Sequence, residues 1–301
     1  MKIAFASCCN LKLYPEQPIW DEIASEAPDY LFLLGDQIYM DFFPNLEKPK
    51  DWPVAKFRTE MADRYEKQWR EKHFAALVET VRGKGGVHGT WDDHDFAWND
   101  ACGMHVQQAK KDVARQFFCK YMGVVPRGEG IFHVVPLFDG GTKLAKAIFV
   151  DTRWYRDLEG DHNDLLGEEQ FEFLQQELNA DAGLLTIVCA GTPMRATGKG
   201  WHAYKRDHQR FMQMVGDRKV IFLSGDIHEN LFIPPSSGTH LYEIISSGVA
   251  VKKLGIIGSR HNFGLLDWRP DNRIKVTLRD KRGRVVYLIN NNATFDHQEF
   301  D

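Results

Sequence analysis

Short apolar runs alternate with stretches whose apolar residues recur every three or four positions, and this alternation holds along most of the chain. Lys2 to Ser7 and Tyr30 to Leu34 read as strands, with a helix from about Pro18 to Glu26 between them. Val54, Phe57, Met61, Tyr65 and Trp69 fall on one helical face, and the pattern predicts a single long helix from about Val54 to Val81. Gly86 to Trp91 is a third strand, and Val106, Ala109, Val113, Phe117 and Tyr121 mark the next helix. Two strands, Ile131 to Phe138 and Lys146 to Asp151, flank a Gly140-Gly141 turn. Glu168 to Asn179 is helical, Leu184 to Ala190 is a buried strand, about Tyr204 to Val215 a helix and Lys219 to Leu223 a strand. After Ser236 the chain turns β-rich and ends in a hairpin, Arg273–Leu278 with Arg284–Ile289, around Lys281-Arg282-Gly283. Alternating units with a β-rich tail predict an α/β protein, a mixed sheet or two packed sheets with helices outside. No shift in composition marks a boundary, so residues 1–301 read as one domain.

Composition narrows the function classes. With 38 Lys and Arg against 42 Asp and Glu, the net charge is −4, which carries no nucleic-acid-binding signature and no attraction to anionic membranes. No run approaches the roughly 20 apolar residues of a membrane helix. Met1 to Asn10 lacks the long apolar core of a signal peptide. The five cysteines lack C-x-x-C spacing, which argues against a disulfide scaffold or a cysteine zinc module and for a reduced, cytoplasmic setting. Arg195 to Gly200 has no Ser or Thr where a phosphate-binding P-loop needs one, and no G-x-S-x-G elbow is present.

The polar residues concentrate where strands end. Successive strands run into Ser7-Cys8-Cys9-Asn10, Gly35-Asp36-Gln37-Ile38-Tyr39, Trp91-Asp92-Asp93-His94-Asp95 with Asn99-Asp100, Asp151-Thr152-Arg153-Trp154-Tyr155-Arg156, Gly191-Thr192-Pro193 and Ser224-Gly225-Asp226-Ile227-His228. Ligands of open α/β sheets bind outside the carboxyl ends of the strands, so these clusters are expected on one rim. Asp36, Asp226 and Asp92 or Asp93 are hard carboxylates, His228 an imidazole, Asn99 an amide oxygen and Cys8 a thiolate donor. Carboxylates crowded on one rim repel one another unless cations compensate them. Two metal ions about 3.5–4 Å apart suit phosphoester hydrolysis, because they clamp phosphoryl oxygens and lower the pKa of an attacking water.

In their order and spacing these motifs, from residue 5 to residue 228, resemble the alkaline phosphatase D (PhoD-like) family of calcineurin-like metallophosphoesterases. The resemblance implies a four-layer α/β/β/α sandwich and a metal-dependent phosphoric ester hydrolase, with metal-activated hydroxide attacking a small-molecule phosphoester in line. It makes Cys8, Asp36, Tyr39, Asn99, Asp226 and His228 metal ligands, with Asp36 as the bridge. It implies two or more metal ions: Fe(III) on Tyr39 and Cys8, and calcium or another divalent ion (Mn, Zn or Mg) at the other site. Asn10 stands where the secreted members carry an acidic residue, which removes a negative charge near the second ion.

Several roles are left open. His94 is either the general acid for the leaving alkoxide or a histidine orienting Asp92 or Asp93, themselves candidates for fixing ligand orientation. Arg153 and Arg156 either bind phosphate oxygens or form a salt bridge with Asp151. The aromatic segment Met40 to Pro53 forms a wall of the substrate pocket or packs over the long helix. The alternatives to a phosphoesterase are a non-catalytic metal- or ligand-binding relative, and an iron-dependent enzyme acting on a non-phosphate substrate.

Overall fold

A computed structural model describes residues 1–41, 48–160, 162–181, 183–195, 200–236, 239–251, 261–291 and 295–300. Phe42, Phe43 and Pro44 of the aromatic segment, and residues 196–199, lie outside the described residues. The strands are β1 (Lys2–Ala6), β2 (Tyr30–Leu34), β3 (Gly86–Thr90), β4 (His133–Asp139), β5 (Thr142–Phe149), β6 (Leu185–Cys189), β7 (Val220–Ser224), β8 (Asn230–Ile233), β9 (Leu241–Ser246), β10 (Phe263–Trp268), β11 (Arg273–Asp280), β12 (Gly283–Asn290) and β13 (His297–Phe300). The helices are α1 (Ile19–Ser25), α2 (Val54–Arg70), α3 (Lys72–Arg82), α4 (Asp93–Phe96), α5 (Gln108–Met122), α6 (Glu168–Asn179) and α7 (Lys205–Val215).

Two mixed sheets form. One has the order β13-β12-β11-β10-β1-β2-β3, the other β4-β5-β6-β7-β9-β8. In the first, β1, β2 and β3 run parallel and the β-rich tail extends the sheet antiparallel from β1 through β10. In the second, β5, β6, β7 and β9 run parallel.

The period-2 pattern of each strand explains the layers. On β1, Ile3 and Phe5 face the other sheet, while Ala4 and Ala6 face helices that include Trp20, Phe57, Phe74 and Phe118. On β5, Ala147 and Phe149 join the core between the sheets, and Ile148 packs with Phe171, Leu174 and Phe211 of α6 and α7. Phe32 and Phe149 meet across the sheets at 5.0 Å between ring centroids, and losing either ring costs about 3–5 kcal/mol. The result is the expected four-layer α/β/β/α sandwich. None of the described helices is long and apolar enough to cross a membrane.

One expectation needs correcting. The stretch from Val54 to Val81 is two helices, broken at Glu71 (φ −58°, ψ 126°). The Glu71 side chain caps α3 by accepting the Phe74 N–H at 2.8 Å and also accepts the Gln17 N–H at 3.3 Å. Tertiary bonds thus turn the chain where the apolar periodicity carries straight on. Trp52, from the aromatic segment, is buried in the core beneath the helices.

Candidate metal centre

The carboxyl ends of β1, β2 and β3 face those of β5, β6 and β7 across one rim. Thr90 Oγ1 donates to the Val150 carbonyl at 2.7 Å and Trp91 Nε1 to Asp151 Oδ1 at 2.7 Å, which holds the two sheets together there. Gly35 (φ +89°) is needed for this approach, since a Cβ on it would lie 2.6 Å from the Asp92 Cβ.

The backbone at the rim is unusual. Nine described non-glycine residues have positive φ, and four of them are sequence-predicted ligands: Cys8 (62°), Asp36 (57°), Asp226 (71°) and His228 (58°). Left-handed backbone costs such residues roughly 1–3 kcal/mol each and concentrates at functional sites. At Cys8 the conformation is held by bonds to two segments. Its N–H donates to the Gly35 carbonyl at 3.2 Å, and its carbonyl accepts the Ala250 N–H at 3.1 Å.

Around Asp36 the side chains converge. Its Oδ2 accepts from Cys8 Sγ at 3.5 Å and from the Tyr39 hydroxyl at 3.4 Å, and its Oδ1 accepts the His94 N–H at 3.3 Å. Asp92 and Asp95 form a capping box that starts α4 and so places Asp93 and His94 in a single turn at the rim. Ligand atoms of Asp36, Asp93 and His94 lie within 4.8 Å of one another, and so do those of Asp92, Asp93 and Asp226. Asp93 is the carboxylate common to both clusters, a position the resemblance gives to Asp36. His94 Nδ1 pairs with Asp41 Oδ1 at 2.6 Å, and its ring lies 4.1 Å from that of Tyr39.

The other predicted residues are placed differently. The Asn99 amide is exposed and donates to Asp100 at 2.9 Å, while its N–H donates to Asp41 Oδ2 at 2.8 Å. The His228 N–H donates to Ser247 Oγ at 3.0 Å, and that hydroxyl lies 3.2 Å from Cys8 Sγ. Asn10 is buried and its Oδ1 accepts the N–H groups of Lys12 and Leu13 at 3.1 and 3.3 Å, an Asx turn. Arg153 is buried, with Nε 2.7 Å from Asp92 Oδ1 and Nη2 3.8 Å from Asp93 Oδ1. Its ion pair therefore runs to Asp92 rather than Asp151, whose carboxylate is filled by N–H donors. Arg156 Nη1 reaches Thr192 Oγ1 at 3.3 Å. Asp41 and Ser247 carry no signal of their own in the sequence, and Thr192 stands in the Gly191-Thr192-Pro193 cluster without an assigned role. Asp41 follows Asp36 by five positions, and Ser247 directly follows β9, a further parallel strand at the same rim.

The electrostatics favour cations. Burial pushes the Asp36 carboxyl well up, against the pull of His94, and the nearby Asp93, Asp92 and Asp95 push it further. Burial, then Asp92 and Asp93, raises Asp226 to about 7. Burial raises Cys8 and Tyr39 as well, and Asp36 adds to both. Burial would lower His94, but Asp93, Asp36 and Asp41 outweigh it and hold the imidazole at about 10. Asp92 Oδ2 is buried with no hydrogen-bond partner among the described residues. A buried, unpaired carboxylate oxygen close to the raised carboxyls of Asp36 and Asp226 suits a hard cation.

Two packed mixed sheets, flanked by helices and bearing an Asp–His rim at the strand ends, define a metallophosphoesterase-type fold. A solved structure described as that of PhoD superposes with a TM-score of 0.74 at 17% identity, covering 100% of this chain and 71% of that one. A dimetal phosphatase from Danio rerio superposes with a TM-score of 0.56 at 12% identity, covering 95% and 98%. No curated protein matches the sequence significantly. The PhoD-like phosphatase family profile matches residues 3–257, and the chain belongs to that family. It is accordingly a phosphoric ester hydrolase.

Proposed function

We propose that the protein hydrolyses small-molecule phosphoesters, monoesters or diesters, at a centre of two or more metal ions. In this reading Cys8, Asp36, Tyr39, Asn99, Asp226 and His228 hold the ions. Fe(III) takes the side of Cys8 and Tyr39, and calcium or another divalent ion the side of Asp226. The observation that carries the reading is the pair of clusters meeting at Asp93, each of two buried residues and one half-buried, with Asp92 Oδ2 left unpartnered beside them. When bound, the ions supply Lewis-acid polarisation of the phosphoryl oxygens and a water of lowered pKa.

The chain's own residues orient and shuttle protons. Asp41 ties up Nδ1 of His94, which leaves Nε2 as the donor for a leaving alkoxide. Arg153 and Thr192 fix Asp92 by bonds of 2.7 and 3.0 Å to its Oδ1, so that Oδ2 keeps its orientation. The same reading takes residues 1–301 as one domain, supported by the continuation of the first sheet from β1 into the tail. It sets the protein in the cytoplasm, in keeping with five free cysteines, three of them buried.

The test is elemental analysis with a phosphatase assay. The protein supplied with Fe, Mn, Ca or Zn should hydrolyse p-nitrophenyl phosphate or its bis ester. Chelation should remove at least about 99% of that activity, and metal should restore it. A visible charge-transfer band lost in Tyr39→Phe would assign the phenolate to Fe(III). Protein that is colourless and inert with every ion overturns the reading.

A further inference from the structure

A cavity of about 120 Å³ shares Tyr39 with the candidate centre and is lined also by Ile38, Lys12, Asp63, Arg64 and Lys67. That volume matches the share of roughly four water molecules, enough for a small polar group. Its charges are unbalanced. Lys67 pairs with Asp63 at 2.8 Å and Arg64 with Glu60 at 2.9 Å, so with Lys12 three cations stand against two carboxylates. The Lys12 ammonium makes no hydrogen bond or ion pair among the described residues; Arg64 and Lys67 act on it from nearby, and so do Glu60 and Asp63.

Arg64 carries a second signal. It is only 7% exposed; Nη1 donates to the Tyr39 carbonyl at 2.7 Å and Nη2 to Glu60, while Nε–H is buried with no hydrogen-bond partner among the described residues. A buried guanidinium N–H without a protein acceptor is satisfied by water or by an acceptor arriving from outside. Arginine and lysine together beside a small cavity are the usual means of holding carboxylate or phosphate oxygens.

We propose that this cavity receives the leaving group of the substrate, and that Lys12 and Arg64 select phosphoesters whose leaving alcohol carries a second anionic group, a carboxylate or a further phosphate. The inference rests on the phosphoester reading above and sharpens it to a substrate class. Lys12 is the residue to change, because it is exposed and Arg64 also holds the Tyr39 carbonyl.

The experiment compares 4-carboxyphenyl phosphate with its neutral isostere, 4-carbamoylphenyl phosphate, and includes benzene-1,4-diyl bisphosphate. The metal-loaded wild-type protein should favour an anionic ester over the amide by about tenfold in kcat/KM. Lys12→Ala should abolish that preference and leave the amide ester within twofold, while Lys12→Arg restores it. The anionic ester more sensitive to Lys12 identifies carboxylate or phosphate as the preferred group. Calorimetry with 4-hydroxybenzoate, the leaving group alone, should show binding weakened about tenfold in Lys12→Ala and no such change for 4-hydroxybenzamide. Equal losses for charged and neutral esters, or no preference in the wild type, overturn the proposal. If no ester is hydrolysed but 4-hydroxybenzoate binds through Lys12, the anion site stands and the phosphoester reading falls.

Discussion

Asp36 and Asp151 occupy matching places, each at the carboxyl end of a parallel strand and each with a buried carboxyl, yet their surroundings differ. Asp151 Oδ1 accepts Trp91 Nε1 at 2.7 Å and the N–H groups of Arg153 and Trp154 at 2.9 Å, and its Oδ2 accepts the Ile131 N–H at 3.1 Å. Those four N–H donors work against burial, which still leaves the carboxyl raised, and Asp151 acts as a knot joining the two sheets. Asp36 receives a thiol, a phenol and one N–H, all at 3.3 Å or longer, and faces other carboxylates. Burial is common to both. The supply of strong donors separates them, and a buried carboxyl denied such donors is one prepared for a cation.

That contrast gives the largest expected effects. Asp36→Asn keeps the shape and tolerates the left-handed backbone, so metal-stripped protein should unfold at about the wild-type denaturant concentration. Turnover should fall on the order of 10³-fold or more, because a carboxylate of the proposed metal centre is gone. Asp151→Asn should do the reverse. Its amide would turn N–H groups toward N–H donors, at about 1–3 kcal/mol for each donor left unmatched, while activity per folded molecule stays within about tenfold. Denaturant melts and kcat for both variants check this, and equal destabilisation by the two would break the contrast.

The pH dependence of metal-stripped protein should be next in size. Asp226 is raised to about 7 by burial and its carboxylate neighbours, and Asp95 to about 8 by burial. In the unfolded chain both titrate near 3.9. Between about pH 4 and 8 the folded state therefore holds protons that the unfolded chain has released, so stability falls as pH rises, by up to about 1.4 kcal/mol per pH unit for each proton. His94, held at about 10, adds stability that is complete below about 6.5 and lost as pH rises through 10, which extends the decline. Asp93 works the other way. Against the cost of burial, Arg153 and His94 hold it at about 2, so its contribution is present above 3.9 and lost only as pH falls through 2. Saturating metal should flatten the slope from pH 5 to 8, because the cation takes the place of the proton. A flat profile in chelator would mean that the rim carboxyls are compensated without metal.

The parts of the molecule that the sequence shows are those that obey a period. Apolar runs such as Tyr30–Leu34 and Val220–Ser224 are buried throughout, and the polar residues just after them can only face the rim. The motif residues Asp36, Asp93 and His94 were visible for that reason. The strand β9 was harder to see, because Glu243 interrupts its apolar run. That side chain is buried, and accepts the N–H groups of Met194 and Arg195 at 2.6 and 3.0 Å. With β9 unassigned, Ser247 at its end had no place on the rim. The break at Glu71 was hidden for a similar cause: neither Gly nor Pro stands there, and the bond from Gln17 comes from far along the chain. Long-range polar bonds leave no periodic trace.

Thr192 tests this point at the smallest scale. Its hydroxyl lies 3.0 Å from Asp92 Oδ1, 3.3 Å from Arg153 Nη2 and 3.3 Å from Arg156 Nη1, which ties both arginines to one rim carboxylate. Thr192→Val keeps the shape and removes these bonds together with the 3.1 Å contact to Thr152 Oγ1. Stability should drop by about 1–2 kcal/mol, since Asp92 retains Arg153 Nε while the three-way contact is lost. If Asp92 needs this support to hold its free oxygen in position, metal affinity should weaken by about three- to tenfold, with kcat at saturating metal changed little. A loss of stability without any change in metal affinity would place Thr192 with Asp151, among the residues that only join the sheets.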